Sequence, residues 1–524
     1  MTDLIFHGGV LLTQDPACPV ASAVAVRDGR IAAVGRDEDI LPLAGPGTRR
    51  VHLGGRTLIP GFNDAHAHIW KIGHLLTTMV DLRKARSLAA IGTLLQAETA
   101  RRPPGSWLLG RGWNEARLAE GRAPIRQDLD AVVPDRPVVL TRTCGHICAC
   151  NSAALAAAGI TAATEPPVGG VIERDASGTP TGLLHENAIG LVNAAMPVPT
   201  RDDYAAMIDA ALRHQLALGI TSTNDAGVDT GLLGTYRWMD GEGRLPSRVN
   251  VMIRGVVEGS THPSPLTSHV SPRLRIDTVK FLADGGLSGA TAALSVPYQH
   301  ADTRGVLRFE NEELLALCRE AHDAGFRIAI HAIGDVAIEQ VIGVYDALGR
   351  GPLRHRIEHL GLPSAHHLRR AARLGVIAAP QSIFLHELGR NFRAYLPDRL
   401  LERAYPIRAM LDAGLTVALS SDAPVVDSDD PLLGMSAAIT RRTAEGEMIA
   451  PDQAITAEEA LWAYTMGGAI ASGDEANRGS LTKGKWADLA VLSGNPLTIP
   501  PQELPAVRVE QTWLGGNLAF ERVA

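Results

Sequence analysis

Aromatic side chains make up only 4% of the 524 residues, and the five cysteines are an odd set for disulfide pairing. Cys18 and Cys318 stand alone while Cys144, Cys148 and Cys150 crowd together, so reduced thiols in a cytoplasmic protein are the simplest reading. A positive surplus is also missing. The net charge is −7, which leaves no basic surface for nucleic acid. No run of about 18 apolar residues occurs, so no membrane-spanning helix is expected. Residues Met1 to His7 lack the charged and apolar regions of a secretory signal. What is present is the composition of a globular enzyme, 45% apolar and 20% charged, with a generous 18 histidines. Such a chain can bury a large core without disulfides, is expected to act on a small-molecule substrate, and is compatible with homo-oligomerisation.

From about residue 200 a unit repeats: an amphipathic helix, a glycine stop, then a short apolar strand ending in polar residues. Helices are expected over Asp202 to Leu218, Asn311 to Ala324, Asp335 to Leu348, Ser364 to Leu374 and Arg408 to Ala413, four of them stopped by Gly219, Gly325, Gly375 and Gly414. Strands are expected over Ile220 to Asp225, Arg248 to Arg254, Asp277 to Asp284, Phe326 to Ile330, Arg354 to Leu360, Val376 to Ala379 and Leu415 to Asp422. With a strand leading into His66 the count is eight, the number that closes a (β/α)8 TIM barrel, here expected over residues 57–477. Residues 75–200, rich in Pro and Gly and carrying one further apolar run at Pro137 to Thr141, read as an insertion. Both chain ends, 1–56 and 478–524, hold short alternating strands. Neither is large enough to bury a core alone, so the two are expected to form one composite β-sandwich.

The segment Pro60-Gly61-Phe62-Asn63-Asp64-Ala65-His66-Ala67-His68 places two imidazoles two residues apart. On a strand they share a face, with Cα atoms roughly 6.6 Å apart, and can converge on one divalent metal ion. Such an ion needs four or more ligands. Lys280, His331, His359 and Asp422 each fall within or just after an apolar strand run. In a barrel those positions form one rim, the catalytic face. His355 competes with His359, but His359 lies nearer the C-terminal end of its strand and is the better placed.

These motifs resemble the amidohydrolase superfamily. Beyond the His66–His68 segment, His331-Ala332-Ile333-Gly334-Asp335, Arg356-Ile357-Glu358-His359 and Ser420-Ser421-Asp422-Ala423-Pro424 look like its motifs on barrel strands five, six and eight. Val279-Lys280-Phe281-Leu282-Ala283-Asp284-Gly285 is similar to the strand-four lysine segment of the branch called amidohydrolase family 3, which includes N-substituted formamide deformylases. The resemblance runs through Gly145-His146 and Asn151 to Leu155 to the Gly479 to Leu489 stretch, covering nearly the whole chain. It implies a site for two divalent ions, usually Zn2+. His66 and His68 would hold the more buried ion and His331 and His359 the outer one. Lys280, carboxylated by CO2 on its ε-nitrogen, would bridge them, and Asp422 would bind the first ion. The carbamate makes physical sense, since it converts a cation that cannot ligate beside two dications into an anion with two oxygens. The metals then acidify a bridging water toward about pH 7, and Asp422 takes its proton and passes it to the leaving nitrogen.

The implied activity is hydrolysis of a non-peptide C–N bond in a small amide or N-substituted formamide. A lactone, cyclic imide or carbamate remains open, as does mononuclear deamination, because fold does not choose the substrate. A non-catalytic scaffold would be expected to lose ligands, and every position is kept. His146 matches a substrate-facing histidine of the family, while a buried structural histidine fits equally well. Trp113, Asp225 and Tyr298 are expected at rim loops or strand ends, where they could touch substrate, although packing or capping roles suit them too. Asp335 reads as a helix cap. The Cys144-Gly145-His146-Ile147-Cys148-Ala149-Cys150 segment imitates a zinc spacing, but if extended its end cysteines lie about 20 Å apart and cannot share an ion.

Overall fold

The computed structural model describes residues 2–143, 145, 147–167, 169–256, 266–299 and 302–523. Its centre is a parallel sheet of eight strands: β1 (Phe62–Ala67), β2 (Ile220–Val228), β3 (Arg248–Arg254), β4 (Leu274–Leu282), β5 (Arg327–Ala332), β6 (Arg356–His359), β7 (Ile377–Ala379) and β8 (Thr416–Val417). Each pairs in parallel with the next, in chain order. The first strand also bonds to the chain just past the last. Ala65 donates to the Leu419 carbonyl, Asp422 to that of His66 and His68 to that of Ala423, at 3.4, 2.8 and 2.9 Å. The fold is therefore the expected α/β barrel type, curled until its two edges meet.

The repeat forms for the reasons its sequence suggests. Helix Ala365–Leu374 starts at Ser364, whose hydroxyl accepts from the His367 amide, and stops at Gly375, whose φ of 71° is a conformation that a side chain disfavours. Gly219, with φ of 76°, likewise ends helix Arg201–Ala217 and hands the chain to β2. The last strand is shorter than the expected Leu415 to Asp422 because the chain leaves the ladder after Val417, and Asp422 sits at a φ of 56°.

The chain ends form two further sheets. One holds Leu4–His7, Ala23–Arg27, Arg30–Gly35 and Arg49–His52. The other joins Val10–Leu12, Val20–Ala21 and Thr57–Pro60 to Leu489–Leu492, Val509–Leu514 and Asn517–Glu521. Phe6, Leu11, Leu58, Leu489 and Trp513 share one core across both sheets, with Phe6 edge-on to Trp513 at 5.0 Å between ring centroids. One boundary is corrected. Thr57–Pro60, expected to begin the barrel, belongs to the terminal sheet, where it pairs with Val10–Leu12 and Leu489–Leu492. The handover comes at Gly61, where a β-carbon would lie 2.2 Å from the Thr221 hydroxyl; its amide donates to Asp488, and the next amide, Phe62, donates to Gly219.

The chain divides into two compact units, residues 1–69 with 211–524, and residues 70–210. The second unit has its own six-stranded sheet, which includes Leu108–Trp113, Val138–Arg142 and Ile147–Cys150, and its own core around Leu82, Leu95, Trp113 and Leu140. No helix among the described residues is long and apolar enough to cross a membrane.

Candidate metal centre

At the C-terminal end of β1, the Nε2 atoms of His66 and His68 lie 3.4 and 3.2 Å from Oδ1 of Asp422. All three side chains lie close enough together to hold one metal ion. The hydrogen bonds behind them decide which atoms face inward. Nδ1 of His66 donates to the Glu358 carboxylate, and Nδ1 of His68 donates to the Ala226 carbonyl at 2.9 Å. In each neutral ring the inward nitrogen therefore carries a lone pair. Oδ1 of Asp422 is buried and has no hydrogen-bond partner. Three acceptor atoms thus converge with no proton between them, an arrangement that is repulsive unless a cation sits there. The residues fit a divalent ion.

Two more imidazoles adjoin this trio. The His359 ring lies 5.0 Å from that of His66 and 4.4 Å from that of His331. Nδ1 of His359 donates to the Gln381 oxygen at 2.6 Å, and the Gln381 amide nitrogen donates to Ala379 and Ser420, which fixes that side chain's orientation. His359 thus offers Nε2. His331 is the reverse case. Its Nε2 faces the Gly285 carbonyl at 3.0 Å and Asp284 at 3.3 Å, so Nδ1 is the atom left with a lone pair. His359 has a φ of 70° at the end of β6, so the site includes backbone that side chains rarely adopt.

Burial dominates the electrostatics. It lowers the pKa of His66, with Lys280 adding to the effect against Glu358 and Asp422. It pushes His359 well down too, and neighbouring His331 does the same. Burial alone would raise the Asp422 carboxyl, but His66 and then the contact with His68 outweigh it and hold the group well below the usual carboxylate range. Lys280, 4% exposed in β4, is brought down to about 8 by burial, while Glu358 and Asp422 pull upward. Asp284 is not its ion-pair partner. That carboxylate accepts from the amides of Ala293, Ile333 and Gly334 at 2.9, 3.1 and 2.8 Å.

Trp113, Tyr298 and Asp225, each open to a substrate contact or a packing role, are found in packed surroundings. Trp113 is 1% exposed inside the core of the 70–210 unit, where its indole N–H donates to the Leu140 carbonyl at 2.7 Å. Tyr298 is 4% exposed, packs with Leu294 and Phe384, and donates to Ala292 at 2.9 Å. Asp225 is fully buried, with one oxygen accepting from the Ile69 amide at 3.1 Å and the other from the Tyr236 hydroxyl at 2.5 Å. All three hold the scaffold. His146, like Cys144, lies outside the described residues, while Cys148 and Cys150 are buried with sulfurs 3.8 Å apart. Asp335 is structural, as expected, although it ties down Ser295 and Arg403 rather than capping its helix. His355 faces the other end of its strand and contacts His322 at 3.1 Å.

Sequence reasoning missed Glu358 and Arg356. Both are fully buried, and they form an ion pair directly behind His66, at 2.7 Å between Nε and Oε1. The available signal was their alternation with apolar residues along β6, which points two charged groups into the barrel.

A barrel with imidazoles and a carboxylate converging at its strand ends defines a metal-dependent enzyme. The profile of the amidohydrolase family (Amidohydro_3) matches residues 50–520. N-substituted formamide deformylase of Arthrobacter pascens is 31% identical over 546 residues, covering 100% of this chain and 99% of that protein. YtcJ of Bacillus subtilis is 33% identical over 537 residues, covering 99% of both. The crystal structure of an uncharacterized metal-dependent hydrolase from Pyrococcus horikoshii superposes with a TM-score of 0.80 at 27% identity, covering 95% of this chain and 99% of that one. The chain belongs to the amidohydrolase family.

Proposed function

We propose that this chain hydrolyses the C–N bond of a small amide, with N-substituted formamides as the preferred class, at a centre holding two Zn2+ ions. The carrying observation is the convergence of His66 Nε2, His68 Nε2 and Asp422 Oδ1, three acceptors whose mutual repulsion a cation removes. His331 Nδ1 and His359 Nε2 are the ligands for the second ion, since their other nitrogens are engaged. Lys280, carboxylated on Nζ by CO2, completes the set as an anion with two oxygens. Bound divalent ions supply Lewis acidity and bring the pKa of water toward about 7. The chain's own residues do the rest. Glu358, Ala226, Gln381 and Gly285 fix the four imidazoles in the tautomers that ligate. Asp422 accepts the proton of the attacking water and returns it to the departing nitrogen, so that the amine leaves neutral. The substrate class is supported by the full-length similarity to the formamide deformylase.

The test is a panel of N-substituted formamides, N-acyl amines, cyclic imides and lactones offered to metal-loaded protein, with formate and amine both measured. Formamide turnover is expected to lead. Turnover confined to lactones, or ring deamination with one ion per chain, would replace the reading. Metal-stripped protein reconstituted in CO2-free buffer is expected to regain little activity until bicarbonate is added, and full recovery without it would remove the carbamate.

A further inference from the structure

The barrel has a second concentration of charge at its opposite end. Arg248 opens β3 and Arg275 lies at the start of β4, far along their strands from the rim that carries Lys280. With Arg30, Arg273, Arg478 and Trp486 they line a cavity of about 220 Å³ between the barrel floor and the terminal sheets. Arg30 and Arg248 each lie over the Trp486 ring, at 3.7 and 4.6 Å from its centroid, so the indole holds two guanidinium groups in place.

The charges there do not balance. Arg248 is matched by a two-pronged pair with Asp488, at 2.6 and 2.9 Å. Arg478 is matched by Asp474 at 3.0 Å. Arg275 has only a share of Asp277, which also pairs with Arg327. Arg30 and Arg273 form no salt bridge among the described residues. Their guanidinium groups donate to carbonyl oxygens: Gly484 at 2.7 Å for Arg30, and Leu245 and Pro246 at 3.2 and 2.9 Å for Arg273. The field of this cluster shows in its members. Arg273 is lowered by burial and then by Arg248, with Asp488 and Asp240 opposing, and Arg478 is brought down to about 10 by burial, with Arg248 and Arg275 acting the same way against Asp474 and Asp488.

We propose that this cavity is a binding site for a small oxyanion carrying two negative charges, of the phosphate or dicarboxylate class, held between Arg30 and Arg273. Guanidinium forks match the paired oxygens of such groups, and two cations without a salt bridge of their own call for a dianion. The cavity is below the roughly 300–1,000 Å³ of sites for drug-sized ligands, which fits a compact ion rather than a nucleotide. The bound anion joins the terminal sheets, through Arg30 and Trp486, to the start of β4, through Arg273 and Leu274. Its effect is on stability and not on the chemical step, which lies at the other rim.

The probe is sulfate, titrated into metal-loaded full-length protein at fixed ionic strength against chloride, with heat of binding and melting temperature both read. Wild type is expected to bind sulfate and melt higher. Arg30→Gln and Arg273→Gln are each expected to bind about tenfold more weakly, while Arg36→Gln, an exposed control, is unchanged. A His66→Ala chain, with its metal centre broken, is expected to keep the sulfate site, which separates this binding from any at the metals. Phosphate and malonate titrations then tell the two oxyanion classes apart. Sulfate, phosphate and malonate all binding no better than chloride, or binding that survives unchanged in both arginine variants, overturns the proposal.

Discussion

Replacing Glu358 by glutamine alters one oxygen and reaches the metal centre through a single hydrogen bond. The wild-type carboxylate accepts from Nδ1 of His66 and from Nε and Nη2 of Arg356, at 2.7 and 2.9 Å for the arginine bonds. Glutamine has the same shape, but one of its two acceptor positions becomes an NH2 donor. At the Oε2 position that donor faces both His66 and Nη2 of Arg356, and at the Oε1 position it faces Nε of Arg356. If it faces His66, the imidazole turns its proton inward and Nε2 can no longer ligate. If it faces Arg356, a fully buried guanidinium loses half of its ion pair and all of its compensating charge. Breaking a buried pair from one side costs about 3–5 kcal/mol, and the amide still accepts one bond, so a loss of about 3 kcal/mol in the metal-free protein is expected. Partners that orient ligand histidines are worth about 10–100-fold in metal affinity, or roughly 1.4–2.7 kcal/mol. Chemical denaturation of the stripped protein reads the first quantity, and zinc titration against a competing chelator reads the second. A folded Glu358→Gln chain that binds zinc as tightly as wild type would refute the tautomer argument for His66.

Asp422→Asn is expected to cut turnover by about 10²–10⁴ in metal-loaded protein; steady-state rates above a tenth of wild type would contradict the proton role. Gly334→Ala should destabilise the protein by about 2 kcal/mol and loosen the β5 rim, since the added carbon would lie 1.9 Å from the Ala293 carbonyl; an unchanged melt and zinc affinity would show that the loop yields freely. His355 has its pKa lowered to about 4 by burial, then by His322 and Arg327, so the unfolded chain binds the extra proton first as pH falls below about 6.5. Wild type should therefore lose about 2 kcal/mol between pH 7 and pH 5 that His355→Leu does not lose, and parallel denaturation curves for the two would reject this.

Much of the site was legible because each candidate ligand follows an apolar strand run, and in a parallel barrel every such run ends at the same rim. His66, His331, His359 and Asp422 needed only strand order to be brought together. The glycine stops worked for a local reason as well, since Gly219 and Gly375 occupy left-handed backbone that the preceding helix leads into. For Trp113, Tyr298 and Asp225 the sequence left rim and packing roles open, because an aromatic or acidic residue near Gly and Pro looks alike whether it lines a rim or packs a core. For Trp113 the difference is a carbonyl 27 residues away, at Leu140, and no spacing rule reports that. The start of the barrel at Phe62 was hidden similarly. Thr57–Pro60 is apolar in either sheet, and its partner Leu489–Leu492 lies at the far end of the chain.

Arg356 shows what pattern reading leaves out of a barrel interior. All five of its N–H donors are engaged: Nε and Nη2 with Glu358, Nη1 with Asn224 and Ala471, and Nη2 again with Ala65. Asn224 is held in turn by Asn250 at 2.6 Å, and its amide donates to the Asp64 carbonyl at 3.0 Å, while the Asp64 carboxylate accepts from the Ser421 amide and hydroxyl. The network thus runs from β6 through β2 to β1 and to the segment past β8, where it contacts Asp64 and Ala65 just before His66 and Ser421 just before Asp422. A fully satisfied polar network in low dielectric is rigid, and a partly satisfied one is costly. An apolar replacement for Arg356 and Glu358 together could leave the barrel as stable, or more so, by the logic of buried ion pairs. It would leave His66 with no acceptor for Nδ1–H, so the double variant Arg356→Met/Glu358→Leu separates the two roles. Retained stability with lost zinc affinity is the expected result. Equal loss of both would mean that the ion pair holds the barrel itself, and the imidazole only by consequence.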